Sequence, residues 1–286
     1  MENPKKTHKI SAKEAIIECL DQKLSSNKNL LLMGTGQTVF NLKNKFSSDR
    51  VRATPISEAT LIGMSIGAAR LGHKIVLDLM MANFLYLAFD QIFNQAAQSH
   101  TMYGGQTKDH FVCIALTGFN KHGGYQHSNI QNSLFTSSPQ IKIICPANAY
   151  EAKGLLSAAI EAKEPVIFLM DFGISSQKDL VPIESFNIPI NKAQIARSGQ
   201  DLTIITFGAQ VKNSCSAAES LKNELGLEIE VINLRTLVPL DKKTIIQSVR
   251  KTQKVFIIEE AIEAYSLSAY ISCLIQESCY GFIKQP

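Results

Sequence analysis

As far as Met170, the pattern of apolar and polar positions defines two kinds of segment that alternate along the chain. Short, continuously apolar runs such as "NLLLMG", "KIVLDLM", "FVCIAL", "IKIICP" and "PVIFLM" are separated by longer segments with helical spacing. Strands that are apolar on both faces are typical of parallel sheets with helices on both sides. The pattern therefore predicts an α/β fold with a mainly parallel sheet flanked by helices.

Capping signals locate two of the helices. Ser11 and Glu14 form an S-x-x-E pattern ahead of "AIIECLDQKL", and Asn148 with Glu151 precedes "EAKGLLSAAIEA" in the same way. A hydroxyl or amide oxygen at these positions can accept a hydrogen bond from the first turn of a helix. We expect a helix to begin directly after each pair.

Two further helices are predicted from the spacing of apolar residues, over Glu58–Leu71 and over roughly Tyr86–His100. A glycine-containing loop is expected between Thr117 and Ser128, after the strand "FVCIAL". Helices and strands thus alternate regularly through the first part of the chain.

The periodic pattern lapses between about Asp171 and Gly199 and then resumes as a second, shorter α/β series. Three strands, "LTIITFG", "LEIEVINL" and "KVFIIEE", alternate with helices and are followed by one closing helix. We therefore assign residues 1–180 to a first domain, 181–199 to a linker and 200–286 to a smaller second domain.

Composition limits the class of protein further. The 286 residues are 45% hydrophobic and 19% charged, which is normal for a chain that buries sizeable cores. The formal charge of +4 is spread out except for "NPKKTHK", so nucleic acid is not an expected partner. The polar start and the absence of a long apolar run predict neither a signal peptide nor a membrane span. The six cysteines lack C-x-x-C spacing, which indicates reduced thiols in a cytoplasmic protein.

The glycine-rich stretch "MGTGQT" follows a predicted strand but does not complete a nucleotide-binding pattern. The third glycine of G-x-G-x-x-G would fall at Val39, and no lysine follows to make a phosphate-binding loop. H-E-x-x-H is also missing from the sequence. We interpret the stretch as a plain turn.

Three residues are candidates for chemistry. Glu58 stands at the head of an apolar helix, where it is either a helix-start residue favoured by the macrodipole or a buried acid that holds a ligand. His127 lies in the glycine-containing loop after a predicted strand, and Phe84 lies between a strand and a helix. Ligands of parallel sheets bind at the carboxyl ends of the strands, so these three residues could line one crevice.

Several fragments occur together in the order and spacing of one known family. They are "TPISEA", "DQIFNQAAQ", "MYGGQ", "QHSN", "YEAKGLLSAAIEAKEPVIFL" and "VINLRTLVPLDKKTI", and they fall within residues 8–262. The sequence resembles the β subunit of the thiamine-diphosphate-dependent 2-oxoacid dehydrogenases, of the pyruvate and branched-chain type, within the transketolase-like superfamily. The resemblance implies that the first domain binds the pyrimidine ring of the cofactor.

The resemblance also assigns roles to the three candidates. It implies that Glu58 is buried against the aminopyrimidine ring and shares a proton with a ring nitrogen. Phe84 corresponds to the aromatic residue that stacks on this ring, and His127 corresponds to the histidine that serves substrate and acyl transfer. The expected reaction is decarboxylation of a 2-oxoacid, followed by transfer of the resulting acyl or activated aldehyde unit.

Metal ions and a second chain follow from the same resemblance. The family binds the diphosphate through Mg²⁺ on a Gly-Asp-Gly motif, which this sequence lacks, so an α subunit in an α2β2 heterotetramer is expected to supply both. A structural K⁺ site of backbone carbonyls would fall on Ala159, Ile160, Ala162 and Glu164. Ala162 stands where the family usually has an acid.

Departures from the family pattern leave the transfer step open. The loop after "NLLLMG" is short and lacks acids, and the sequence ends at Pro286, where the family usually continues. Docking to a lipoyl acyltransferase is therefore uncertain. One alternative is a two-chain decarboxylase or carboligase that passes its product to a small acceptor, and another is a non-catalytic scaffold subunit. The sequence does not select the 2-oxoacid.

Overall fold

The computed structural model of the chain describes residues 6–107, 109–118, 123–128 and 135–284. The strands are β1 Thr7–Ser11, β2 Leu30–Gly34, β3 Val51–Ala53, β4 Lys74–Met81, β5 Phe111–Thr117, β6 Lys142–Ile144, β7 Val166–Asp171, β8 Lys178–Pro182, β9 Gln194–Arg197, β10 Leu202–Thr206, β11 Ile229–Asn233, β12 Thr236–Val238 and β13 Val255–Ile257.

Helices connect most of these strands. The α-helices are α1 Ala12–Ser26, α2 Gln37–Leu42, α3 Glu58–Arg70, α4 Gln98–Met102, α5 Tyr125–Ser128, α6 Ala149–Glu161, α7 Gln210–Leu225, α8 Lys242–Thr252 and α9 Leu267–Cys279. Two 3-10 helices, Ala82–Ala88 and Phe172–Ile174, and a π-helix, Gln91–Ala97, also lie within the described residues.

The first part of the chain forms a seven-stranded sheet with the order β12-β6-β7-β5-β4-β2-β3. Neighbouring strands are parallel except for the pair of β12 and β6. All six residues of β7 are buried, because helices cover both faces of the sheet. The predicted α/β class is confirmed.

Apolar side chains form one cluster on each side of this sheet. One cluster packs α1 and α6 against the sheet. The other contains residues of α3 and of the helical segment that follows β4, and it continues into residues of β10, β11, α8 and α9. The hydrophobic core therefore runs without a break from the first sheet into the second part of the chain.

The second sheet has the order β13-β10-β11-β9. Its three parallel strands are those predicted from the sequence, but the count of three was wrong because β9 adds a fourth, antiparallel strand at the edge. β9 consists of Gln194–Arg197, within the segment assigned to the linker, and its residues are only half-buried or exposed. Such a short edge strand carries no apolar run that a sequence pattern could detect.

A strand from the second half of the chain also completes the first sheet. β12 pairs antiparallel with β6, with Thr236 opposite Ile144. The sequence analysis did not separate this three-residue strand from the apolar run "VINLRTLVPL" that contains it. Consequently the two parts of the chain share backbone hydrogen bonds as well as apolar contacts.

The helix predicted over Tyr86–His100 is not a single α-helix. The segment begins earlier, as the 3-10 helix Ala82–Ala88, continues as the π-helix Gln91–Ala97 and ends as α4. Hydrophobic spacing cannot distinguish these three winding patterns over a few turns. Short π-helical turns occur frequently at functional sites.

Both predicted caps are present. The Ser11 hydroxyl accepts from the Glu14 N–H at 3.2 Å, and the Glu14 carboxylate accepts from the Ser11 N–H at 2.7 Å. The Asn148 side chain accepts from the Glu151 N–H at 2.8 Å. The first pair is a complete capping box, whereas the carboxylate of Glu151 has a different partner.

The Glu151 carboxylate is fully buried and connects the two sheets. It accepts from the Arg235 Nε at 2.6 Å and from the Asn233 amide at 2.9 and 3.0 Å, and both donors lie at the connection between β11 and β12. It also accepts from the Ala147 N–H at 2.9 Å, ahead of α6. The ion pair thus holds β12 in position beside β6.

Among the described residues, no helix is long and apolar enough to cross a membrane. The cysteines form no disulfide, and burial raises the pKa of the Cys19 thiol to about 12. Cys113, Cys145 and Cys279 are also buried, whereas Cys215 is half-buried and Cys273 is exposed.

Removing the charge of Glu151 should weaken the whole fold. In the variant Glu151→Gln, the mostly buried Arg235 guanidinium loses its counter-ion, and breaking such a pair costs roughly 3–5 kcal/mol. Urea unfolding measures this loss. The control Glu219→Gln removes the exposed partner of Arg197 and should change the free energy of unfolding by less than about 0.5 kcal/mol. Equal effects of the two variants would contradict the assignment.

The capping box should make stability depend on acidic pH. Hydrogen bonds from the Ser11 N–H and hydroxyl hold the pKa of Glu14 below its ordinary value of 4.5. A lowered pKa in the folded state contributes stability above pH 4.5, and this contribution is lost as the pH falls below that value. Unfolding measured across this range should show a smaller acid-induced loss for Glu14→Gln than for the unsubstituted chain. The same substitution at the exposed Glu184 should leave the profile unchanged.

Candidate active site

The three candidate residues follow three parallel strands of the first sheet. Glu58 is the first residue of α3, after β3, and Phe84 lies in the 3-10 helix directly after β4. His127 lies in α5, after β5. The 3-10 helix contacts both α3 and α5. The topology therefore brings the three residues to one edge of the sheet, at the carboxyl ends of its strands.

Glu58 is a buried residue whose carboxylate has no partner among the described residues. The residue is only 6% exposed, and among the described residues no hydrogen bond or ion pair to this carboxylate is present. The neighbouring Ser57 does not cap the helix with its side chain but donates to the Thr60 hydroxyl at 2.8 Å. Burying an unpaired carboxylate is costly, so this arrangement fits a site whose hydrogen-bond partner is a ligand.

Phe84 and His127 are in direct ring contact. Their centroids are 5.4 Å apart and the ring planes are nearly perpendicular, at 89°. His127 Nδ1 lies 3.0 Å from the Gly123 carbonyl oxygen, so Nδ1 carries the proton and donates it there. This leaves Nε2 of the neutral ring as a proton acceptor. Gly123 permits the close approach, because a Cβ at this position would lie 2.9 Å from the His127 Cβ.

The glycine turn after β2 is anchored on Asp78. A Cβ on Gly34 would lie 2.2 Å from the Asp78 carbonyl oxygen, and one on Gly36 would overlap the Asp78 carboxylate. The Thr38 N–H and hydroxyl donate to the same carboxylate at 3.1 and 2.6 Å. A protein carboxylate thus occupies the position that a phosphate would need, which agrees with a plain turn.

Met80 is a candidate that the sequence analysis missed. Its φ of 63° is in the left-handed region, which is unusual for a methionine near the end of a strand, and its side chain is 40% exposed. The Met80 N–H donates to Asp78 Oδ1 at 3.2 Å, which supports the strained turn. Strain of this kind is concentrated at functional sites. No sequence signal marks it, because backbone strain depends on the surrounding structure.

Two of the four carbonyl groups expected to hold K⁺ already have protein partners. The Ala159 carbonyl accepts from the Ala162 N–H at 3.2 Å, and the Glu164 carbonyl lies 3.0 Å from His110 Nδ1. Burial lowers the pKa of the His110 imidazole, which favours the neutral ring. The described residues also contain no cluster of His, Cys, Asp and Glu able to hold a metal ion. The arrangement does not fit a K⁺ ion at these carbonyls.

Comparison with known proteins agrees with this geometry. Residues 8–172 match the transketolase pyrimidine binding domain, and residues 191–286 match the transketolase C-terminal domain. The fold and the site therefore define a pyrimidine-binding chain of the transketolase type. The chain belongs to the family of β subunits of thiamine-diphosphate-dependent 2-oxoacid dehydrogenases and related enzymes, as the resemblance predicted.

Two relatives and one solved structure illustrate what this chain is similar to. The acetoin:2,6-dichlorophenolindophenol oxidoreductase subunit beta of Cupriavidus necator is 34% identical, over 96% of this chain and 86% of the relative. The pyruvate dehydrogenase E1 component subunit beta of Pisum sativum is 36% identical, over 96% of this chain and 79% of the relative. A solved structure, the inactive β4 tetramer of a split-gene transketolase, shares the fold with a TM-score of 0.80. Its sequence is 21% identical, and the match covers 94% of this chain and 86% of that chain.

Neutralising Glu58 should not weaken the fold. The variant Glu58→Gln removes a buried charge that has no partner among the described residues, so we expect the free energy of unfolding to stay equal or to rise by up to about 2 kcal/mol. Urea unfolding of the chain without cofactor measures this value. The same substitution at the paired Glu151 serves as the contrast. A loss for Glu58→Gln as large as for Glu151→Gln would show that Glu58 is a structural residue.

Proposed function

We propose that this chain is the pyrimidine-binding subunit of a two-chain thiamine-diphosphate enzyme that decarboxylates a 2-oxoacid and transfers the resulting acyl or activated aldehyde unit. The observation that carries this proposal is the buried, unpartnered carboxylate of Glu58 at the same edge of the sheet as the Phe84 and His127 pair. Homologous β subunits act together with an α subunit. A second chain therefore completes the active site.

Each of the three residues has a distinct role in this proposal. Glu58 holds a proton against a nitrogen of the aminopyrimidine ring, a contact that satisfies the buried carboxylate. Phe84 presents a ring face to the pyrimidine, and its edge-to-face contact fixes the orientation of His127. The free Nε2 of His127 exchanges a proton with the substrate. When bound, thiamine diphosphate supplies a nucleophilic carbon and an electron sink.

The partner chain supplies the diphosphate contacts in this proposal. Mg²⁺ prefers carboxylate oxygens, and the described residues contain no acidic cluster suited to it. Exposed apolar side chains surround the candidate site, including Ile56 at 78% and Leu87 at 65% exposure, together with Tyr125. Apolar surface beside a site is typical of a protein interface. An α2β2 assembly, in which an α chain covers this edge and brings the Mg²⁺ site, accounts for both features.

The identity of the substrate is the most specific part of the proposal. The relatives include subunits named for acetoin, for 2-oxoisovalerate and for pyruvate, with identities of 34%, 34% and 36%. These values do not separate the substrate classes. We favour a 2-oxoacid, and the naming of the acetoin relative provides the second candidate, cleavage or formation of an acyloin.

The decisive experiment reconstitutes the chain with its α partner. The purified complex is assayed for reduction of an artificial electron acceptor, with thiamine diphosphate and Mg²⁺, on a panel of 2-oxoacids and on acetoin. Glu58→Gln should lower turnover by about 10²-fold or more, since positioned proton transfer contributes about that much. Size-exclusion chromatography should show an intact complex. The control Glu224→Gln changes an exposed glutamate in the second part of the chain and should retain activity.

The possible outcomes separate the hypotheses. Turnover of a 2-oxoacid that depends on Glu58 supports the proposal, and turnover restricted to acetoin assigns the acyloin reaction instead. A complex that assembles but neither binds thiamine diphosphate nor turns over any substrate contradicts catalysis and indicates a scaffold subunit. Adding a lipoyl domain to the same assay tests whether the acyl unit passes to an acyltransferase.

A further inference from the structure

The C-terminal end of α6 presents carbonyl groups that need partners. Ala159 and Ile160 lie in its last turn, and Ala162 and Glu164 follow before β7. The last carbonyls of a helix lack intrahelical donors and carry the negative end of the helix dipole. A cation or a set of N–H donors can satisfy them. The choice between the two depends on what the surrounding chain provides.

In this chain, an imidazole faces these carbonyls. His110 precedes β5, is nine-tenths buried, and donates from Nδ1 to the Glu164 carbonyl at 3.0 Å. The ring therefore lies beside one of the oxygens that a cation would have to approach. A hydrogen-bond donor and a cation cannot occupy the same position.

The surrounding charges also replace a cation. The Glu161 carboxylate, at the last residue of α6, lies 3.1 Å from Lys23 Nζ and 2.5 Å from Lys74 Nζ. The Glu164 carboxylate lies 2.8 Å from Lys142 Nζ. Three ammonium groups thus neutralise the two nearby carboxylates, and Ala162 has no carboxylate of its own.

Access to the carbonyls passes a positively charged cavity. A cavity of about 500 Å³ is lined by His110, Ala162, Lys74 and Lys163, and no described residue of its lining is acidic. An entering cation would meet the charge of Lys163, since the charge of Lys74 is balanced by Glu161. Repulsion between like charges disfavours this entry.

We propose that the imidazole of His110, together with Lys23, Lys74 and Lys142, takes the place of a bound K⁺ ion at the end of α6. The chain consequently has no K⁺ requirement for folding at this position. The proposal does not depend on which reaction the chain serves. It concerns only how the turn between α6 and β7 is held.

The first test compares thermal unfolding of the chain in chlorides of K⁺, Na⁺ and tetramethylammonium at equal ionic strength. We expect the three unfolding midpoints to agree within about 1 °C. A K⁺ site filled at a hundredfold excess over its dissociation constant would raise the midpoint in K⁺ by about 5 °C. A K⁺-specific increase of that size would overturn the proposal.

Substitution of the histidine tests its structural role. His110→Ala should lower the midpoint by about 3 to 8 °C, and His110→Asn, which keeps a side-chain N–H near the Nδ1 position, should recover part of the loss. The control His100→Ala removes an exposed histidine that lines the same cavity and should change the midpoint by less than about 1 °C. Equal midpoints for His110→Ala and the control would overturn the proposal.

A direct observation complements the stability data, and it remains decisive if His110→Ala does not fold. Crystals of the unsubstituted chain are soaked with Tl⁺, which has nearly the size of K⁺ and scatters anomalously. We expect no anomalous peak among the carbonyls of Ala159, Ile160, Ala162 and Glu164. A peak at this position would show that a cation binds there and would overturn the proposal.

Discussion

The buried carboxylate of Glu151 accepts hydrogen bonds from both sides of the junction between the two sheets. Its partners lie ahead of α6 and at the connection between β11 and β12, so it fixes a helix of the first sheet to a loop of the second. β12 can then pair with β6 and extend the first sheet. The continuous apolar cluster under both sheets depends on the same junction, because residues of β10, β11 and α8 pack there against the first sheet.

Three buried carboxylates in this chain differ in their partners. Glu151 is paired with a guanidinium, and Asp78 accepts from Thr38 and from the Met80 N–H. Glu58 has no partner among the described residues. Buried carboxylates normally have hydrogen-bond partners. The missing partner of Glu58 therefore indicates a ligand more clearly than its burial alone does. The two satisfied carboxylates instead shape the scaffold that holds the site.

The candidate site and the C-terminal end of α6 differ in how their charged and polar groups are balanced. At the edge that carries Glu58 and Phe84, the chain provides one unpaired carboxylate and exposed apolar side chains, and it depends on a cofactor and a partner chain to complete the site. At the end of α6, the chain provides its own imidazole and ammonium groups, which in our proposal take the place of an ion. Membership of the family therefore fixes the fold, while individual side chains decide which of the family's bound groups this chain needs.

Much of this architecture was readable from the sequence because it depends on local patterns. Apolar runs and capping residues predicted most of the parallel strands and the starts of α1 and α6, and the family resemblance around Glu58 implied a buried acid at the head of a helix. Tertiary structure alone decided the rest. β9 and β12 are too short for a pattern, the left-handed backbone of Met80 depends on its contact with Asp78, and His110 meets the end of α6 only because β5 and β7 are neighbours. Contacts between residues distant in sequence leave no periodic signal, so their chemistry becomes visible only when the chain is folded.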